Sequence, residues 1–112
     1  MNMPFYRWLT VAALCTGSLL AQGSEQDQLL ATLAGNKPAA EKVLAFKRLA
    51  QIGDARAVAA VAPYLADAQL ASWSRIALES IPGPAADDVL RDAMDRVHGM
   101  LLVGVINSIG VR

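Results

Sequence analysis

Apolar side chains recur along this chain at intervals of three and four residues, in short stretches separated by helix-breaking residues. Leu29, Leu30 and Leu33 form the first such face. Ala45, Leu49 and Ile52, with Phe46 beside them, form the second, and Val58, Val61 and Leu65 the third. Leu70, Trp73, Ala77 and Ile81 follow, then Val89, Leu90, Ala93 and Val97. This spacing lines one side of an α-helix and leaves the opposite side to residues such as Glu41, Lys47 and Gln51. The pattern predicts helices from Ser24, over Ala39–Ile52, from Asp54 through Leu65, over Gln69–Ile81, over Ala85–Val97 and over Met100–Ile109.

The breaks carry as much information as the helices. Gly35-Asn36-Lys37-Pro38 ends one helix and opens the next, with glycine at the stop and proline near the first turn. Asp54 and Asp67 are placed to cap helix starts, and Ser24 does the same with Asp27 in the first turn behind it. Pro63 falls inside the third helix, where its missing donor predicts a bend, since Tyr64 and Leu65 continue the apolar pattern. Asp87–Arg91 and Asp92–Arg96 are i, i+4 pairs in the favourable order on the fifth helix.

One break repeats. Ile52-Gly53-Asp54 returns as Ile81-Pro82-Gly83-Pro84 and as Ile109-Gly110-Val111-Arg112, at separations of 29 and 28 positions. A near-constant period of this length predicts stacked helical units rather than one closed domain. The units are residues 24–52, 53–81 and 82–112. The last helix, Met100 to Ile109, is apolar nearly all round and needs neighbours on more than one side. An array of this kind ends in a polar capping unit, so an apolar last helix predicts that the array continues past Arg112.

The N-terminus reads as something other than domain. Arg7 is the one charge before Trp8–Ala21, an uncharged run too short for a comfortable membrane span. Ala21-Gln22-Gly23 places small residues where a signal peptidase reads. Residues 1–23 are therefore expected to be a cleaved signal peptide, with Ser24 as the new N-terminus and a secreted or periplasmic product. Leu14 before Cys15 is too large for a lipid-attachment signal, and cleavage after Gly23 removes the chain's one cysteine, leaving neither disulfide nor thiolate chemistry.

Charge narrows the partners. The 112 residues carry 10 basic and 10 acidic side chains, interspersed rather than blocked. Without a basic patch the expected partners do not include nucleic acid, and no membrane contact is expected once the signal is cleaved. His98, the single histidine, sits in a turn beside Gly99, and a metal site needs three or four ligands. Asp87, Asp88, Asp92 and Asp95 read as helix-dipole and ion-pair residues rather than as paired catalytic carboxylates. Ser72 and Ser74 flank Trp73 without a nucleophile elbow around them. No glycine-rich phosphate loop is present, so no cofactor, metal or catalytic residue is expected. Trp73 has two readings: packing between units, or an interface anchor of the kind tryptophan supplies at binding hot spots. The candidate interface residues are Trp73 together with Leu101, Val105 and Ile109 on the last helix.

Leu49-x-x-Ile52-Gly53-Asp54-x-Arg56-Ala57-Val58 resembles the junction of HEAT repeats, specifically the short bacterial type named after phycobilisome lyases. Ala77-Leu78-x-x-Ile81 and Val105-Ile106-x-x-Ile109-Gly110 occupy the same register, so the resemblance covers residues 38 to 112. Pro82-Gly83 stands where the family has glycine-aspartate, Asp67-Ala68 where it has aspartate-proline, and Ala71 where it has arginine. The resemblance implies an all-α, right-handed α-solenoid of about three antiparallel helix pairs. It implies a non-catalytic protein-interaction or scaffold role, with a protein partner or further repeats of the same chain against its surface. The alternative is the N-terminal accessory module of a larger secreted enzyme. No residue here supports the chromophore attachment in the family's name.

Sequencing the N-terminus of the exported protein is expected to return Ser24 as the first residue. A product that still begins at Met1 would replace the cleaved signal with a retained anchor.

Overall fold

The computed structural model describes residues 25–112, which are helical and without strands. The expected signal segment, its cleavage site after Gly23, Cys15 and the Ser24 cap lie outside the described residues. Helix α1 covers residues 25–34, α2 Ala39–Ile52 and α3 Ala55–Val61. A 3-10 segment, Ala62–Ala66, leads to α4 (Ala71–Ser80), α5 (Pro84–Ala93) and α6 (Gly99–Val111).

Helix starts follow the local chemistry. Asp54 adopts an extended backbone, and its Oδ1 accepts a hydrogen bond from the Arg56 N–H at 2.9 Å. Asp67 does the same ahead of α4, accepting from the N–H groups of Gln69 and Leu70 at 2.9 and 3.0 Å. The second junction lacks an aspartate. There Gly83, at φ +99°, turns the chain through a region closed to most side chains, and Pro84 opens α5 with a φ suited to a helix start.

Three elements differ from the sequence expectation. Pro63 does not bend a continuous α-helix: α3 ends at Val61 and the chain tightens into the 3-10 segment. Proline has no N–H to give the carbonyl four residues back, and its ring crowds that carbonyl, so the α-ladder stops short of it. Tyr64 is thereby directed across to α1, where its hydroxyl donates to the Leu33 carbonyl. Helix α5 ends at Ala93 rather than Val97, and residues 94–96 form a turn that still delivers Val97 to the core. The expected Asp92–Arg96 pair forms at 2.8 Å, whereas Asp87 turns away from Arg91 to meet Arg112 Nε at 2.5 Å.

The core runs continuously through the helices. Phe46 and Leu49 of α2, Val58 and Val61 of α3, Leu78 of α4, Ile81 at the end of α4 and Leu90 of α5 are all buried, and Leu33 joins them from α1. Helix α2 packs on α4, α4 packs in turn on α6, and α3 touches α5. Each of α4 and α6 also packs against the segment that precedes it in the chain. Burial of large aliphatic side chains at about 1.5–3 kcal/mol each is the main source of stability in such a fold.

Gly53 lies where α2, α3 and the end of α4 converge. Its backbone is extended, at φ −68° and ψ 153°, so the requirement there is one of space. A Cβ would stand 2.5 Å from the Leu49 carbonyl oxygen, 3.0 Å from Ala57 Cβ and 3.1 Å from Ile81 Cδ1. Gly53→Ala is therefore expected to destabilise the fold by about 1–3 kcal/mol, as overpacking does. Equilibrium denaturant unfolding reads this directly, and an unchanged midpoint would refute the close approach.

Candidate functional site

Helix α6 is thirteen residues long and carries no charged side chain: Gly99-Met100-Leu101-Leu102-Val103-Gly104-Val105-Ile106-Asn107-Ser108-Ile109-Gly110-Val111. A helix of this composition has no polar face to keep toward water. One side packs against α4 and α5. The other leaves Met100 82 % exposed, Val103 48 %, Ile106 51 % and Val111 69 %. Among the described residues no other helix shows so many large apolar side chains to solvent.

The sequence-predicted interface residues occupy different ground. Val105 is fully buried and presents no surface, which corrects its assignment to an interface. It faces the core, as does Ala77, 28 positions earlier and also fully buried. Leu101 and Ile109 are half-buried and pack against the core beside it. Trp73 is half-buried on α4, packed against the core, with Lys47 Nζ of α2 5.0 Å from its ring centroid. A cation over an indole face is an attractive contact, and here it joins α2 to α4. The exposed residues Met100, Val103, Ile106 and Val111 were not singled out from the sequence.

The side of α6 turned to α4 explains how the helix is held. The Arg75 guanidinium of α4 lies against the α6 backbone at Gly104, where any Cβ would overlap it. One turn on, the Ser108 hydroxyl donates to Glu79 Oε1 at 2.7 Å. Gly104 and Ser108 are thus small because Arg75 and Glu79 occupy the space beside them. At the C-terminal end of α6, Arg112 donates to the carbonyls of Leu78, Ile81 and Gly83 at 2.6, 2.7 and 2.8 Å. The last turn of a helix leaves carbonyls unpaired, and Arg112 supplies donors for the end of α4 from outside it.

Other candidate features are accounted for by local structure. A groove of about 320 Å³ runs between the 3-10 segment and α5, lined mainly by Ala59, Ala62, Pro63, Val89 and Ala93, with the Asp92–Arg96 pair at its edge. Its walls are small and apolar and bring no set of polar groups together. Ser74 is buried and its hydroxyl donates to the Ala71 carbonyl at 2.8 Å, while Ser72 is exposed. His98 is exposed at the start of α6, and Asp88 and Asp95 are exposed on and just beyond α5. Among the described residues no group of His, Cys, Asp or Glu is placed to hold a metal ion, and no helix is long and apolar enough to cross a membrane. No protein-family model matches this chain, and no curated protein or solved structure is significantly similar to it.

Charge is organised at the helix junctions. Gln26 of α1 grips Asp54 from both sides: its Nε2 donates to Asp54 Oδ2 at 3.2 Å, and its Oε1 accepts from the Asp54 N–H at 3.1 Å. Arg56 reaches back to Asp27 at 3.1 Å. The Gln26 hydrogen bond first, and then the Arg56 N–H, hold the Asp54 carboxyl below its ordinary pKa of 3.8. Arg112 does the same for Asp87, and Arg48 for Glu25. A carboxyl with a lowered folded-state pKa stabilises the fold above its unfolded value, and that contribution is lost as pH falls through the folded value. The melting temperature is accordingly expected to hold from neutral pH to about 4 and then to fall. Asp54→Asn is expected to melt lower at pH 7 but to decline less steeply below pH 4. Parallel melting curves for the two proteins across that range would remove Asp54 as a contributor.

Proposed function

We propose that this chain is a HEAT-like α-solenoid module of an exported bacterial protein, of the phycobilisome-lyase-like type, that acts without catalysis by binding another protein or scaffolding it. The observation that carries the reading is the exposed side of α6, which sets four large apolar residues in water on a helix without charge. An apolar patch of this kind, rimmed by polar residues, marks an interaction site. The packing of α2 on α4 and of α4 on α6, with α3 against α5, supports the solenoid reading. So do polar links that join positions about one unit apart: Gln26 to Asp54, Asp27 to Arg56 and Glu79 to Ser108. In such a stack the terminal helix lacks the neighbour that every internal helix has, so its outer side is where a partner or a further unit would sit. The uncharged N-terminal run followed by Ala21-Gln22-Gly23 supports export and a secreted or periplasmic location.

The reading places binding on α6 and not on the charged outer side of α5. A photo-crosslinking residue at Ile106 is expected to give adducts with protein in the cells that make this chain, and one at Asp88 is not. Trp73→Ala separates packing from contact: lost stability with unchanged crosslinking at 106 assigns Trp73 to packing between α2 and α4. Absence of adducts at 106, in a protein that folds, would overturn the assignment of α6.

A further inference from the structure

Charge divides between two sets of helices. Helices α2, α4 and α6, packed side by side in that order, carry four basic and two acidic residues. Helices α1, α3 and α5 carry two basic and five acidic residues. Of the four bases in the first set, Arg48 is paired with Glu25. Among the described residues the other three, Lys42, Lys47 and Arg75, meet no carboxylate. Lys42 covers the Tyr64 ring of the 3-10 segment. Lys47 and Arg75 stand at the two seams of the α2–α4–α6 row. Lys47 Nζ of α2 lies 5.0 Å from the ring centroid of Trp73 on α4. Arg75 of α4 lies against the α6 backbone at Gly104, with Ser72 Oγ a long 3.5 Å from its Nη2. Each cation is thus held in place by a neighbouring helix while its charge has no opposite partner. Much of the side-chain freedom that binding would cost is already spent in folding.

Exposed apolar side chains alternate with these cations across the row. Leu44 is one turn before Lys47 on α2, Ile76 one turn after Trp73 on α4, and Met100 one turn before Gly104 on α6. The two carboxylates of the row do not neutralise it: Glu79 Oε1 accepts from Ser108, and Glu41 lies in the first turn of α2. We propose that this row docks an extended acidic segment of a protein partner, in which two carboxylates flank an apolar residue. The carboxylates meet Lys47 and Arg75, and the apolar side chain rests on Ile76 between them. The proposal rests on the reading that the chain binds protein through α6, and extends that surface across α4 to α2. Neighbouring helix axes lie about 8–10 Å apart, and an extended peptide rises about 3.3 Å per residue with alternate side chains on one face. Carboxylates four positions apart therefore span about 13 Å, and the long stems of lysine and arginine cover the difference. The residue midway between them faces Ile76. An anionic membrane surface suits long cations that reach outward from an apolar face. Lys47 and Arg75 instead lie down against Trp73 and Gly104, which suits one fixed ligand.

The test selects, from a random decapeptide library displayed on phage, the peptides that bind the immobilised full chain at low salt. The enriched peptides are expected to place aspartate or glutamate two positions to either side of an apolar residue. A synthetic peptide of that sequence is expected to bind about fivefold more weakly to Lys47→Gln and to Arg75→Gln, and equally well to Arg91→Gln on α5. Arg75→Lys, which keeps the charge, is expected to recover part of the loss, and added salt to weaken binding. Lys47 is exposed, so its variant keeps the test decisive if Arg75→Gln does not fold. Enrichment without acidic residues, no enrichment, or equal binding by the folded variants overturns the proposal. So does retention of the chain on phosphatidylglycerol vesicles in place of peptide. If the crosslinker at Ile106 still captures protein in that event, α6 remains the binding surface and the two cations lie outside it; if it captures nothing, both readings fall.

Discussion

Ile81 packs into the space that Gly53 leaves open, and much of the structure hangs on that approach. The Cβ missing from Gly53 lets the carbonyl end of α2, the first turn of α3 and the residue that ends α4 converge within van der Waals distance. Any side chain at 53 would push against a backbone carbonyl, which cannot turn aside as a flexible side-chain tip can. Leu49, Ala57 and Ile81, all fully buried, are set by this point. Through them the first helices are fixed relative to α4, and through α4 the position of α6 follows.

The two junctions reach the same end by opposite polarity. At the first, a carboxylate supplies acceptors: Asp54 takes the Arg56 N–H and the Gln26 amide, bonding the start of α3 to α1. At the second, Pro82-Gly83 stands in place of the glycine-aspartate pair, and a cation supplies donors instead. Arg112 comes from the far end of α6 to the carbonyls at the end of α4 and to Asp87 in the first turn of α5. Its side chain is 12 % exposed, against 59 % for Arg56, so the second junction is the drier of the two. Water competes less for an ion pair there, although desolvation offsets part of that gain. Both arrangements bond residues 25 or more positions apart, and that is how helices with modest individual cores come to act together.

Much of the fold is legible in the sequence because its signals are local. Glycine and proline mark the ends of α1 and α2 and the opening of α5; Asp54 and Asp67 mark starts; apolar spacing marks which sides are buried. Phe46, Leu49, Val58, Ala77 and Ile81 are in the core that this spacing predicts. Two of the misplaced details have non-local causes. Asp87 has Arg91 at i+4, but Arg112, 25 residues away, offers a shorter bond in a less exposed place. The misassignment of Val105 came from a helix that is apolar on every side, where periodicity has nothing to contrast with. The register that aligns Ile109 with Ile81 also aligns Val105 with buried Ala77, and that was the signal available.

By itself, then, the sequence determined that the chain is helical, where its helices begin and end to within a few residues, and that its last helix carries apolar surface beyond what one neighbour can cover. Those properties follow from capping, propensity and spacing, which act over a few residues. Tertiary structure alone decided which side of α6 is left in water, since that depends on Arg75 and Glu79 of α4 claiming the Gly104–Ser108 side. It also decided that Pro63 would turn Tyr64 toward α1, and that Arg112 would close the end of α4. Each is a contact between residues about 30 positions apart, chosen by which side chain reaches an unpaired group first in three dimensions.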